Sequence, residues 1–200
     1  MNSIRAFKQK LATVSRLWEA NDYDAALAEV DQMLEKWPGN AHLHVLWSGL
    51  VQLQDDPKHS LDDAKEALHQ AIGLDKNSPV GAIELGHFLD AIEDDPRAAV
   101  KAYSDGVAMA RHLLIEGLMG QAKALLQLEK KDEARQCMWE VLHETQFEPG
   151  AERNKSDQTT PDILFGSPTG RVYGVQLKGP FADQIEELLS ELFASRSASS

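Results

Sequence analysis

Along most of the first 146 residues, apolar side chains recur three or four positions apart, the spacing of one face of an α-helix. The stretch NDYDAALAEVDQMLEKWPGN, residues 21–40, shows the pattern clearly: Ala26, Val30 and Met33 share a face, and Pro38 follows. The early half of this helix also carries three alanines. Small side chains favour a helix that packs closely against its neighbours, because they let two backbones approach.

The same arrangement recurs three more times. Ala26 has equivalents at Ala64, Ala99 and Ala134, so the spacings are 38, 35 and 35 residues. Each anchor alanine is preceded by another amphipathic stretch, and each repeat therefore consists of a helix, a turn and a second helix. The pattern predicts eight helices in residues 4–146, with the four alanines buried where paired helices cross.

The turns contain residues that start helices. Asp95 precedes Pro96, which places a capping carboxylate before a proline at the first helical position. The pair at 56–57 has the same sequence, Asp-Pro, and predicts the same cap. Ser60 followed by Asp63 resembles a capping box, in which the two side chains bind each other's backbone N–H.

The repeats resemble tetratricopeptide repeats (TPR), which are helical hairpins of about 34 residues with small residues at the crossing. The clearest copy is SPVGAIELGHFL (78–89) followed by PRAAVKAYSDGVAMA (96–110). The resemblance covers residues 4–146, with departures at Lys10 and at Gln121-Ala122. It implies an all-α fold, a right-handed α-solenoid of helical hairpins.

The pattern changes after Gln146. Residues 147–162 are polar, with Pro and Gly, and predict a linker. Residues 163–179 alternate around a Gly/Ser/Pro/Thr turn and predict a short β-hairpin, which needs support from another element. An amphipathic helix follows, so that residues 163–195 form a C-terminal segment, and residues 196–200 predict a disordered tail.

One face of this last helix is strongly apolar. Three roles remain open for it: a cap on the fourth hairpin, which we favour, a ligand mimic over the groove, or self-association. The face consists of Phe181, Ile185, Leu188, Leu189, Leu192 and Phe193.

Composition and charge limit the classes of partner that the chain is expected to bind. The chain has 200 residues and a formal charge of −12, which argues against nucleic-acid binding. Residues 1–18 nevertheless contain four basic residues and no acidic one. This asymmetry favours a basic first helix on an acidic neighbour, with a mitochondrial presequence or a membrane-surface helix as alternatives. The acidic remainder of the chain favours basic partners. No apolar run is long enough for a transmembrane segment, and we expect a cytoplasmic protein.

Motifs for catalysis or metal binding are missing from the sequence. His42 and His44 point about 200° apart on a helix, too far to share one ion. The single cysteine, Cys137, has no assignable base and predicts a buried apolar residue. There is no HExxH, GxSxG, phosphate loop or dinucleotide fingerprint, so we expect no enzyme, no metal and no cofactor.

The TPR resemblance implies a binding groove lined by the first helices of successive hairpins. A well-known subset of the family grips a C-terminal carboxylate with Lys, Asn and Arg at set groove positions. The matching positions here hold Leu11, Ser15, Gly49, Ile83 and His87, so the resemblance does not extend to that clamp. The groove residues implied by the resemblance are Lys8, Leu11, Ser15, Trp18, His42, Val45, Gly49, Gln52, Val80, Ile83, His87, Asp90, Glu116, Met119, Lys123 and Leu126.

The resemblance therefore implies a non-enzymatic protein-binding adaptor or scaffold that takes a partner peptide or helix in this groove. The first alternative is a chaperone resembling the small acidic repeat chaperones of bacterial secretion systems. The second is a regulatory subunit of a larger complex, or an enzyme whose site lies in residues 147–200.

Overall fold

A computed structural model describes residues 3–145, 163–166, 172–175 and 181–193. The chain divides into two compact units, Met1–Ala110 (the first unit) and Arg111–Ser200 (the second unit). The elements are α1 (Ser3–Glu19), α2 (Tyr23–Lys36), α3 (Ala41–Val51), α4 (Leu61–Leu74), α5 (Val80–Ala91), α6 (Pro96–Gln127), α7 (Lys131–Glu144), β1 (Ile163–Gly166), β2 (Val172–Val175) and α8 (Ala182–Phe193).

Residues 3–145 form seven helices, so the prediction of eight is wrong. The second helix of the third repeat and the first helix of the fourth are one helix, α6, of 32 residues. The physical reason is a missing stop signal. Pro38 follows α2 and Pro79 follows α4, whereas ARHLLIEG, residues 110–117, has no proline and consists mostly of good helix formers.

The four anchor alanines are buried, as the repeat pattern predicts. Ala26, Ala64 and Ala134 are 0% exposed and Ala99 is 2% exposed. In the first unit, each of helices α1 to α4 contacts the next one along the chain. The prediction that the four anchor alanines are buried is therefore confirmed.

Glycines bring α5 and α6 even closer together. A Cβ added at Gly86 would lie 2.6 Å from the ring of Tyr103, and one added at Gly106 would lie 2.7 Å from Cγ1 of Ile83. Distances below 3.0 Å do not occur for real Cβ atoms. At both crossings, a hydrogen is all that the side-chain position can hold.

Side-chain caps start several helices at the expected places. The hydroxyl of Ser60 accepts from the N–H of Asp63, whose carboxylate accepts from the N–H of Ser60, which completes a capping box on α4. Asp95 accepts from the N–H of Ala98 at 3.0 Å. The cap predicted at 56–57 is wrong, because α4 begins only at Leu61.

The turns between paired helices share one backbone feature. Asn21, Asp94 and Glu129 have φ of 58°, 51° and 60°. Each lies five residues before its anchor alanine, so the same left-handed residue reverses the chain in three repeats. The second repeat has a longer turn, which the Gln54 side chain holds by donating to the carbonyl oxygens of Val51 and His59.

In the second unit, α8 covers the apolar residues of α7 and of the second half of α6. Four residues of the α8 face, Ile185, Leu188, Leu189 and Leu192, are at most 2% exposed in this cluster. Arg135 of α7 donates to the carbonyl oxygen of Leu192 at 3.2 Å. Because these side chains are already buried within their own chain, they are not available for the self-association considered above.

Two further observations concern the C-terminal segment. Phe181 is half-buried with its ring 4.5 Å from that of His112, and the Phe193 side chain lies outside the described residues. Strands β1 and β2 pair antiparallel, with Ile163 opposite Val175, and β1 contacts α8. The predicted linker 147–162 and tail 196–200 lie outside the described residues.

Candidate protein-binding groove

Twelve of the sixteen groove residues lie on α1, α3 and α5 of the first unit, which are the first helices of three successive hairpins. None of the twelve is fully buried: Lys8, His42 and Val80 are among the exposed ones, and Val45 and Ile83 are half-buried. Helices α3 and α5 contact each other directly. The first unit therefore presents the side chains that the resemblance implies.

Trp18 is the largest side chain in this set. It is 37% exposed, and a Cβ added at Gly49 of α3 would lie 3.7 Å from its Cη2 atom. Its ring meets Tyr23 of α2 edge to face, with centroids 5.9 Å apart. Trp18 is thus supported from two helices while more than a third of its surface remains open to solvent.

A second aromatic pair lies on α5 and α6. The Tyr103 hydroxyl and Nδ1 of His87 are 2.9 Å apart, and the two rings meet edge to face. Burial raises the pKa of Tyr103, and the carboxylates of Asp90 and Glu84 raise it further. The phenol is therefore neutral, and the surroundings of His87 are acidic.

Charge on α1 is partly neutralised. Lys10 Nζ lies 2.6 Å from the Glu29 carboxylate and donates to Gln32 at 3.1 Å, so one lysine of the basic helix pairs with an acidic neighbour. An open cleft of about 350 Å³ lies beside this pair, between α1 and α2, with Trp37 in its wall. The cleft contains none of the groove residues.

The remaining four groove residues lie on α6 in the second unit. Glu116 and Lys123 are exposed, and Leu126 is half-buried. Met119 is only 3% exposed, because it packs in the apolar cluster with α7 and α8. A side chain that fills a core is not a surface contact, so Met119 acts in packing.

Sequence reasoning missed two residues that hold the exposed groove side chains in place. Tyr23 supports Trp18, and Tyr103 binds His87. Both were visible as aromatic residues in the repeat pattern, but their contacts cross between helices. The signal that could have found them is the aromatic residue four positions after the anchor Ala99 or three before Ala26.

The described part of the chain gives little support to metal binding, to a reactive thiol or to a membrane-spanning helix. Among those residues, no three His, Cys, Asp or Glu side chains are grouped closely enough to hold a metal ion. Burial, with Glu140 next in importance, raises the pKa of the Cys137 thiol, which lowers its reactivity at neutral pH. No described helix has the length and apolar character needed to cross a bilayer.

Comparisons with known proteins find similarities of low sequence identity. No protein-family model matches the chain. The chain is 29% identical over 85 residues to an uncharacterized 18.1 kDa protein in the carS 3′ region of Myxococcus xanthus, in a match that covers 38% of this chain and 50% of that protein. The chain therefore spans about half the length of the curated relative that it matches.

Two crystal structures of MamA are also similar, each at 18% sequence identity. One has a TM-score of 0.43 and covers 68% of this chain and 71% of that one; the other has a TM-score of 0.41 and covers 66% and 74%. Identity and scores this low carry no functional information.

Proposed function

We propose that this chain is a non-enzymatic, TPR-like adaptor or scaffold that binds a peptide or helix of a partner protein on the α1, α3 and α5 face of the first unit. The observation that carries the proposal is Trp18. Large aromatic side chains that are rigidly supported and partly exposed are the commonest binding hot spots in protein interfaces. Trp18 meets this description through Tyr23 and Gly49.

The surroundings of Trp18 indicate what a partner needs. Val45 and Val80 give the face apolar area, and an extended or helical segment with apolar side chains fits such a surface. Glu84 and Asp90 make the α5 end acidic, so a basic residue in the partner segment gains there. The proposed ligand is therefore an apolar segment with a basic residue at one end.

The test uses site-specific photo-crosslinking in the native host. A photoreactive amino acid at Gln52, which is itself one of the groove residues, is expected to capture a defined partner, and the same photoreactive residue at Gln70 of α4 is not. Trp18→Ala should strongly reduce the crosslink, because truncating a hot spot costs about 2 kcal/mol or more, which weakens binding by roughly thirtyfold. Leu74→Ala is the matched control, since Leu74 is similarly exposed at 47% but lies on α4.

The number of proteins captured, and whether they are folded, separates the adaptor from the secretion-type chaperone. An adaptor should join two folded partners, whereas a chaperone should retain one client that is not yet folded. If Gln52 and Gln70 capture the same proteins, or if Trp18→Ala and Leu74→Ala behave alike, the proposed face is not the binding site.

A further inference from the structure

The cleft of about 350 Å³ between α1 and α2 is an open surface of the first unit that the proposed function does not use. Helix α1 contributes Gln9 and Thr13 to this cleft, and Leu11 and Ser15 to the candidate groove. Successive residues of a helix are about 100° apart, which places these two pairs roughly 160° apart around α1. The cleft is therefore a surface separate from the groove.

An aromatic side chain forms a fixed apolar wall of the cleft. Trp37 follows the last residue of α2, and its backbone N–H donates to the carbonyl oxygen of Met33. Its half-buried ring meets Phe7 of α1 edge to face, with centroids 5.0 Å apart. Because both the backbone and the ring are held, Trp37 offers a rigid surface on which an apolar or aromatic group can pack.

The charged residues of the cleft leave one positive charge without a partner. Lys10 Nζ lies 2.6 Å from the Glu29 carboxylate, so these two side chains neutralise each other. Lys36, the last residue of α2, is exposed and forms no ion pair with any residue that the structure describes. Its ammonium group is therefore available to an anionic group in the cleft.

Two arginines extend this positive charge along α1. Arg5 lies four residues before Gln9, and Arg16 lies three residues after Thr13, so both are on the cleft side of the helix. Both are exposed, and within the described ranges neither has an ion-pair partner. Helix α1 has no acidic residue before Glu19. In a chain whose formal charge is −12, the surroundings of this cleft are basic.

We propose that the cleft is a second docking site, independent of the groove, for an acidic segment of a partner protein. A carboxylate of the segment pairs with Lys36, and a neighbouring apolar or aromatic side chain packs on Trp37. Further carboxylates meet Arg5 and Arg16. Opposite charge steers such a segment towards α1, and salt screens this attraction.

The shape of the site favours a peptide segment over an anionic membrane surface. Helices that lie on membranes insert projecting apolar and aromatic side chains among the lipid headgroups. Trp37 is instead half-buried and forms the wall of a recess. A volume of about 350 Å³ is at the lower end of the range for ligand pockets, about 300–1,000 Å³, and suits one or two side chains of a peptide.

The experiment is a titration of the full chain with two short peptides, followed by ¹⁵N nuclear magnetic resonance. The acidic probe has two glutamates on each side of one phenylalanine, the basic probe has lysines in their place, and both have blocked ends. The acidic probe should shift the signals of Lys36 and Trp37 with a dissociation constant on the order of 1 mM or lower. Raising the salt concentration from about 0.05 M to about 0.5 M should weaken this binding severalfold.

Two variants with matched controls test the cleft itself. Ala6→Phe fills the cleft without a change of charge and should weaken binding of the acidic probe about tenfold or more, whereas Ala12→Phe, at an exposed position of α1 outside the cleft, should not. Lys36→Glu should weaken it as strongly, whereas Lys76→Glu, at an exposed lysine between α4 and α5, should not. Circular dichroism should show that all four variants fold.

The signals of Trp18 separate this site from the groove. They should not move with the acidic probe, and Trp18→Ala should bind that probe like the parent protein, so the two proposals stand or fall separately.

Several results would overturn the second docking site. They are the absence of any shift at about 5 mM acidic probe, equal binding of the basic probe, and equal effects of Ala6→Phe and Ala12→Phe. Shifts confined to Trp18 would assign the acidic segment to the groove. If vesicles that contain phosphatidylserine shift the Trp37 signals while the acidic probe does not, the ligand is a membrane and the proposal is wrong.

Discussion

Replacing Gly86 by alanine tests how closely α5 and α6 cross in the first unit. The new Cβ would lie 2.6 Å from Cδ1 and Cε1 of Tyr103 and 2.9 Å from Cγ. The ring is not free to move aside, because its hydroxyl is 2.9 Å from Nδ1 of His87. Either that hydrogen bond breaks or the two helices separate.

Two opposing terms set the expected size of the effect. Alanine is better than glycine in a helix interior by about 0.5–1 kcal/mol. Overpacking a close crossing costs about 1–3 kcal/mol. The net change in unfolding free energy therefore runs from roughly zero to a loss of about 2.5 kcal/mol, and a control is needed to separate the two terms.

Gly73→Ala is that control. Gly73 lies in α4 of the same unit, and a Cβ added there would meet nothing within 4 Å. Only the favourable propensity term applies, so this variant should be slightly stabilised. The difference between the two variants then approximates the overpacking cost, about 1–3 kcal/mol.

Urea unfolding followed by far-ultraviolet circular dichroism measures this difference. With a slope of about 1–3 kcal/mol per molar urea, Gly86→Ala should unfold at a midpoint lower than that of Gly73→Ala by roughly 1 M. Adding Tyr103→Ala should remove most of the penalty of Gly86→Ala, because the clashing ring is gone. Equal shifts in both glycine variants, or no rescue by Tyr103→Ala, would refute the close crossing.

Four further substitutions test other parts of the fold. Ser48 is 0% exposed, and its hydroxyl has no hydrogen-bond partner among the residues that the structure describes. Ser48→Ala should therefore leave the free energy of unfolding in urea unchanged or raise it by up to about 1–3 kcal/mol. Glu129 has φ of 60°, so Glu129→Gly should stabilise the second unit by about 1 kcal/mol; a lower melting temperature would contradict this. Leu189 is 1% exposed, so Leu189→Ala should cost about 2–5 kcal/mol and lower the melting temperature; an unchanged melting temperature would contradict the packing of this side chain in the apolar cluster. Hydrogen bonds from Ser60 lower the pKa of Asp63 in the folded protein. The ionised carboxylate therefore stabilises the fold at any pH above its ordinary pKa. This stabilisation is lost as the pH falls through the lowered pKa of the folded state. Between about pH 5 and pH 3, the parent protein should therefore lose more stability than Asp63→Asn does.

Local signals in the sequence were sufficient for much of the fold. The spacing of small residues located the four buried anchor alanines, and short-range chemistry located the caps at Ser60 and Asp95. These features depend on residues within a few positions of each other, where sequence distance and spatial distance agree. The cap assigned to 56–57 failed because an Asp-Pro pair also fits a turn, and here the capping box at Ser60 provides the better start.

The candidate site was predictable only in part. Helical periodicity placed twelve residues on three first helices, as the structure has them. The contact between Trp18 and Gly49, and the one between His87 and Tyr103, join residues on different helices, and no local pattern encodes them. Met119 matched the groove in register, but the packing of α7 and α8 over it was not visible in the repeat, and that packing decides its burial.

The long helix α6 shows that pairing and stacking of hairpins are encoded by different residues. Small residues at the anchors determine which helices cross closely, and all four repeats retain them. Helix breakers after the second helix determine whether the next hairpin folds back, and the third repeat lacks one. When the anchors are present and the breaker is absent, the anchor alanines are still buried, but the helix continues into the next repeat. A repeat register alone therefore predicts the hairpins, whereas the prolines and turn residues between them predict how far the stack continues.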